Sequence, residues 1–250
     1  MFSPYLSKDT IYVNSDKVIW GNDSSLYDIG VYRDKLYLPD WRHYEIDTVD
    51  LKTNEKESIK VKWGHGIRIN QDGIYIAPYG VPGIKKFTHD WKEIEGWDKD
   101  IYVEGVTSID TDCEGNVYIV DYHLCNIVKT DKNGRQLISW SWDMKPHNIL
   151  VKDRVYIADR KNSAIQIFSL NGVYIETWQV GGDSLAIRPF NDLFLIVDYE
   201  NNVIKVYTKE GRYVKEIVHD WHKVTNLIQY KEYIYTTEEK SNRVQRIKLN

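Results

Sequence analysis

Short apolar runs recur along this chain, each bounded by Asp, Asn, Gly or Lys turn residues and most alternating apolar with polar positions. Such runs predict half-buried strands joined by tight hairpins. The pattern repeats. An aromatic or Leu, an apolar residue, a variable one and usually an acid occur at Tyr37–Asp40, Tyr75–Pro78, Tyr118–Asp121, Tyr156–Asp159, Leu195–Asp198 and Tyr235–Glu238, with successive spacings of 38, 43, 38, 39 and 40 residues. Six residues beyond each motif stands a branched apolar residue: Ile46, Ile84, Ile127, Ile165, Ile204 and Val244. Thirteen beyond, three copies carry Gly134, Gly172 and Gly211; nineteen beyond, Trp97, Trp140 and Trp178 occupy the place that Ile59 and Ile217 hold in two others.

Each repeat reads as four strands. The third copy is the clearest, with strands at 108–110, 117–121, 126–130 and 136–140 and an Asn133-Gly134 turn before the last. Four strands per repeat of about forty residues, six times over, predicts an all-β, six-bladed β-propeller of four-stranded antiparallel blades. We expect one domain over residues 1–250, with repeats at approximately 24–63, 64–105, 106–145, 146–182, 183–223 and 224–250 and a closing segment at 1–22. The sixth repeat runs out at Asn250 after its third strand. Trp20 precedes Tyr27 by seven residues, the offset between Trp140 and His147, so part of 9–21 is expected to supply the missing outermost strand. The pattern leaves open whether Ile11-Tyr12-Val13 is that strand or an extra partner.

Composition agrees: 19 Tyr and 9 Trp against four Ala favour strands over helices. Net charge is −4, with both signs mixed throughout. No basic arm suggests nucleic-acid binding, and no apolar stretch is long enough to cross a membrane as a helix. Met1-Phe2-Ser3-Pro4-Tyr5 lacks the basic start and apolar run of a signal peptide, and Cys113 and Cys125 fall at opposite ends of one strand, out of disulfide reach. A cytoplasmic protein is expected. Its residue usage suits an AT-rich genome, whether bacterial, archaeal, viral or phage.

Ser241-Asn242-Arg243-Val244-Gln245-Arg246-Ile247 resembles the Asn-His-Arg-Val-Gln-x-Phe signature of NHL repeats, and 162–168 and 201–207 are similar to it. The resemblance covers roughly residues 24–250 and concerns strand and turn positions, so it implies the propeller rather than an activity. The first two copies depart most, with Thr53-Asn54 and His89-Asp90-Trp91 in place of the Gly turn.

Candidate chemistry gathers where the inner strands begin. Two residues before the first apolar position of each inner strand come Tyr27, His65, Thr107, His147, Asp183 and Thr225; next come Asp28, Gly66, Ser108, Asn148, Ser184 and Asn226. A wet, polar channel mouth accounts for such residues in any propeller. A metal is the sharper expectation. His65 and His147 share a register two blades apart, and His222 precedes the sixth blade, although three residues ahead of the position Thr225 holds. Three imidazoles around one ion would leave a ligand position open. This resembles the zinc arrangement of amidating lyases that share the NHL-type propeller. Asp183 or Asp28 would be substitute ligands, and the ion zinc or calcium; no cofactor is assured. No tyrosine–arginine catalytic pair maps onto the chain, so no catalytic residue is assigned.

The residue after each motif is Trp41, Tyr79, Tyr122, Arg160, Tyr199 or Glu239, with His43, Tyr44 and His123 beside them. Four aromatics in six equivalent loops suit recognition of a partner. The ligand-binding set is therefore Trp41, His43, Tyr79, Tyr122, His123, Arg160, Tyr199 and Asp183. The acids Asp40, Asp121, Asp159 and Asp198 recur once per blade, as a turn-capping role does. Phosphate-cradling glycine loops, nucleophile elbows and zinc-protease helices are missing from the sequence. The expected function is a non-catalytic binding propeller, a monomeric domain or a subunit of a larger assembly, that recognises a protein or glycan partner. The alternative is a metal-dependent lyase or hydrolase acting at the channel mouth.

Overall fold

A computed structural model describes residues 10–12, 17–21, 26–62, 64–78 and 80–248, the first two segments as backbone only. Among them no helix occurs, and six antiparallel sheets follow one another in chain order around a ring. Blade I comprises Gly30–Tyr32, Lys35–Asp40, Glu45–Asp50 and Lys56–Lys60; blade II, Gly64–Asn70, Gly73–Pro78 and Lys85–Phe87. Blade III comprises Val106–Thr111, Val117–Asp121, Asn126–Thr130 and Gln136–Ser141; blade IV, Pro146–Val151, Val155–Asp159, Ala164–Phe168 and Tyr174–Gln179. Blade V comprises Ser184–Phe190, Leu193–Asp198, Val203–Thr208 and Tyr213–Val218; blade VI, Val224–Tyr230, Tyr233–Glu238 and Arg243–Lys248.

The ring shuts from both ends of the chain. Lys17–Gly21 pairs antiparallel with Arg243–Lys248 and places Trp20 opposite Val244, as Trp140 stands opposite Ile127 and Trp178 opposite Ile165. The N-terminal segment thus completes the last blade. Thr10–Tyr12 adds a fifth, parallel strand to blade V, with Ile11 opposite Ile217. The Ile11 segment is therefore the extra partner, and it covers an edge that would otherwise be open to another chain.

Both faces of every blade are covered by neighbouring blades, so the second strands are buried throughout, as in Val117–Asp121 and Val155–Asp159. That is why they read as unbroken apolar runs, whereas the outermost strands, such as Gln136–Ser141, face solvent. The core is correspondingly divided, with an apolar cluster at each blade–blade interface. Ile165 and Trp178 of blade IV pack with Ile187 and Phe194 of blade V, and Leu36 and Leu38 of blade I pack with Val244 of blade VI.

The Gly and Trp landmarks repeat together because they touch across that interface. Gly211 of blade V lies against the Trp178 ring of blade IV, and Gly172 of blade IV against the Trp140 ring of blade III. Both glycines have positive φ (74° and 75°), and a Cβ on either would sit within 3 Å of the ring. Blade II corrects the four-strand expectation. Its third strand is short, and Trp97 lies in a turn rather than an outer strand. The Asp98 carboxylate accepts the Ile84 N–H (3.0 Å) and folds the chain back over the blade. Trp97 nonetheless reaches the usual place: it is buried, edge-on to Tyr75, and donates to the Lys132 carbonyl (3.0 Å).

The recurring acids cap the turns at the end of the ring where the inner strands begin. Asp159 Oδ1 accepts the N–H groups of Lys145 (2.9 Å), Lys161 (3.1 Å) and Asn162 (3.3 Å), tying the second-to-third-strand loop to the start of the inner strand. Asp121 does the same through Gly105, His123 and Leu124. These carboxylates are buried, and their charge is offset by the N–H dipoles they gather.

Candidate functional site

Each inner strand opens with a bulge. Blades II, III, IV and VI skip one residue in the pairing, at His65, Thr107, His147 and Thr225, and the Leu26–Asp40 bridge puts Tyr27 in the same place. A bulged residue escapes the regular alternation and turns toward the channel mouth. In blade V the skipped residue is Leu185, between the paired Ser184 and Ala186. Asp183 therefore lies two residues ahead of the register the sequence suggested for it. Periodicity could not show this, because Leu185 and Ile187 are both apolar.

The next ring of polar residues is not a wet mouth but a set of links between blades. Asp28 Oδ2 accepts the Ile67 N–H of blade II (2.8 Å), and its Oδ1 accepts the Asn226 side chain of blade VI (2.6 Å). Asn148 Oδ1 accepts the Ile187 N–H of blade V (3.2 Å), and Arg188, half-buried in the channel, donates to the same oxygen. Burial pushes the Asp28 carboxyl up, against the lowering pull of Arg188. This girdle separates the mouth from a lower cavity of about 350 Å³ bordered by Arg68, Asp110 and Arg188.

Above it lies a cavity of about 380 Å³ lined by Tyr27, Trp41, His65, Thr107, Tyr122, His123, His147 and Arg160, among others. The loop residues Trp41, Tyr122 and Arg160 thus meet the inner-strand residues His65 and His147. Tyr27 stacks on His65 (5.0 Å between centroids), and Tyr122 stands edge-on to His147 (6.3 Å). Burial lowers the His65 imidazole to about 4. Burial, then the Arg160 charge and His65, lower His147 to about 3. Both rings are neutral at pH 7. A carbonyl can only accept, so His147 Nδ1 donates to the Leu185 carbonyl (3.1 Å), and Nε2 keeps the lone pair. Thr107 Oγ1 is buried with no hydrogen-bond partner among the described residues. The cavity is therefore lined by aromatic rings together with an acceptor nitrogen and an unpartnered hydroxyl.

A second depression, about 660 Å³, shares Tyr122 and Arg160 with the first and adds Lys145, Lys161, Ser163, Gly182, Asp183, Tyr199, Glu200 and Lys223. Arg160 holds Asp183 through two bonds, Nε–Oδ1 at 2.7 Å and Nη2–Oδ2 at 2.5 Å. Nearby, Tyr27 and Tyr199 both donate their hydroxyls to the Glu239 carboxylate, which bridges blades I and V. Burial, and then Glu239, push the Tyr199 phenol up to about 12.

Of the sequence-derived candidates, Trp41, Tyr122, His123, Arg160, His65 and His147 converge on the mouth, and Tyr199 and Asp183 border the second depression. His43 is held by Asp40 (Nδ1 to Oδ2, 2.6 Å) and lines neither cavity. Tyr79 lies outside the described residues. His222 is away from His65 and His147: its N–H donates to Glu238, and its exposed ring faces Asp220 at 3.8 Å. Among the described residues no three His, Cys, Asp or Glu side chains gather as a metal site would require. Only two of the three imidazoles share a cavity. Lys145 and Lys223 escaped the sequence reading, although both sit one residue before the inner strand of their blade; that shared register was the available signal.

No protein-family model matches the sequence, and no curated protein matches it. Solved structures do. A catalytically inactive virginiamycin B lyase from Staphylococcus aureus, crystallised with quinupristin, is similar at TM-score 0.71 and 14% identity, over 91% of this chain and 96% of that one. A streptogramin B lyase is similar at TM-score 0.70 and 15% identity, over 94% and 87%. A protein of unknown function from Bacteroides caccae is similar at TM-score 0.67 and 13% identity, over 82% of each. At these identities the likeness concerns the six-bladed propeller fold, and the NHL-type resemblance stands at that level.

Proposed function

We propose that this chain is a binding propeller that takes a protruding group of a partner into the mouth cavity. The observation that carries the reading is the convergence of Tyr27, Trp41 and Tyr122 with two neutral imidazoles and a buried hydroxyl around about 380 Å³. That volume suits one large side chain or one sugar unit. A peptide is favoured over a glycan by the ring geometry. Tyr27 has one face against His65, and Tyr122 and Tyr199 each have one face under a lysine ammonium. Sugars stack on open ring faces, and each of these three rings already has one face occupied. Peptide and glycan arrays probed with the purified chain test this. A discrete peptide set, weakened about tenfold or more by Trp41→Ala and by His147→Leu, is expected. Binding indifferent to both substitutions would sink the reading, and binding to glycans alone would change the partner class.

A second reading, a metal-dependent lyase or hydrolase, draws support from the pair of neutral imidazoles in one cavity and from the lyases among the fold neighbours. His222 does not complete a ligand set, so no step is derived through a metal. Metal content separates the readings. Near-stoichiometric zinc or calcium, lost in both His65→Ala and His147→Ala, would favour the second.

A further inference from the structure

One relation recurs between adjacent blades beside the mouth. The residue after the motif in one blade meets the residue just before the inner strand of the next. Lys145 Nζ of blade IV lies 4.6 Å above the Tyr122 ring of blade III. Arg160 of blade IV clasps Asp183 of blade V. Lys223 Nζ of blade VI lies 4.7 Å above the Tyr199 ring of blade V and donates to the Tyr199 carbonyl (2.8 Å). The equivalence is visible in the backbone: the carbonyls of Lys145, Asp183 and Lys223 each accept the N–H of the post-motif residue in their own blade.

Of these three cations only Arg160 has a carboxylate. Neither Lys145 nor Lys223 has one within ion-pair distance among the described residues; rings and carbonyls hold them instead. Lys161, the fourth cation of the depression, is engaged by Asp143, and the acid at the rim, Glu200, is solvent-exposed. Two ammonium groups are thus fixed by π contacts, half-buried and not neutralised by an ion pair, on either side of the Arg160–Asp183 pair. Cations held this way keep their field for an incoming anion.

We propose that this depression is an anion subsite, and that the group taken at the mouth belongs to an acidic peptide that sets a carboxylate in the depression bordered by Lys145 and Lys223. The inference rests on the reading of the mouth as a peptide-binding cavity, with which it shares Tyr122 and Arg160. An aromatic or apolar side chain enters the mouth, and a carboxylate of the same segment reaches the lysines.

The test uses N-acetyltyrosine and its neutral amide as probes, titrated into the whole chain by calorimetry or NMR. The acid should bind about tenfold tighter than the amide, a preference that shrinks with salt. Lys145→Gln with Lys223→Gln should abolish the preference while amide binding persists. Lys145→Gln alone, which loses only a ring contact, should reduce it and guards against misfolding of the double variant. Equal binding of acid and amide would overturn the anion subsite while leaving the mouth reading intact. No binding of either probe up to about 10 mM would overturn both. Tighter binding of glucuronate than of N-acetyltyrosine would overturn the peptide assignment in favour of an acidic saccharide.

Discussion

Gly211→Ala tests the packing that holds the blades in register. Two costs add. Gly211 has φ of 74°, where an L-residue costs roughly 1–2 kcal/mol. The new Cβ would also stand 2.3 Å from Nε1 and 2.4 Å from Cδ1 of Trp178, against an ordinary contact of about 3.5–4.0 Å. The ring cannot retreat: it is 5% exposed, and Tyr156 and Phe194 hold it at 5.6 Å on its other sides. Overpacking of this kind costs about 1–3 kcal/mol, for a total of roughly 2–5 kcal/mol. Gly96→Ala is the control, because Gly96 has a similar φ (67°) and a methyl added there would meet nothing within 4 Å. It should lose only the conformational part, roughly 1–2 kcal/mol. In a chain of this size 1 kcal/mol moves Tm by about 2–4 °C. Thermal unfolding followed by circular dichroism should therefore show Gly211→Ala down by roughly 4–20 °C and Gly96→Ala by roughly 2–8 °C, the two differing by the overpacking part. Equal shifts would mean that Gly211 serves its turn alone and that the Trp–Gly contact contributes nothing.

Trp178→Ala should cost about 3–5 kcal/mol in urea unfolding, since the ring fills the interface between blades IV and V; a cost near zero would undo that packing. Asp159→Ala strands three backbone N–H groups and two side-chain amides and should cost at least about 2 kcal/mol, whereas a loss under about 0.5 kcal/mol would deny it the capping role. Stability should also fall in mild acid. His65 and His147 stay neutral in the fold to about 4 and about 3, while the unfolded chain protonates near 6.5. Their contribution is thus whole above pH 7 and is lost as pH drops from about 6.5 toward 4. His147→Gln should flatten the stability difference between pH 6.5 and 4.5 by roughly 1–2 kcal/mol; an unchanged slope would show that the ring protonates freely in the fold.

The architecture was legible because each landmark is a local demand repeated at a fixed spacing. A strand buried on both faces needs apolar residues, a tight turn at positive φ favours Gly, and an exposed loop end needs an acid to gather its N–H groups. Even the closing strand could be read from the seven-residue offset of Trp20, and the post-motif residues Trp41, Tyr122 and Arg160 line one cavity. The tertiary structure decided what no period encodes. The bulge in blade V falls at Leu185 rather than Asp183, because two apolar residues in alternation fit either register until the sheet pairs. Blade II has no fourth strand among the described residues, and Asp98 bonds Ile84 across a fold-back fourteen residues long. His222 is held within its own blade by Glu238, away from His65 and His147, and Lys145 and Lys223 came to flank Arg160 through contacts between neighbouring blades. Those contacts join residues 23 or 24 positions apart on consecutive blades, and only the packing of one blade on the next brings them together.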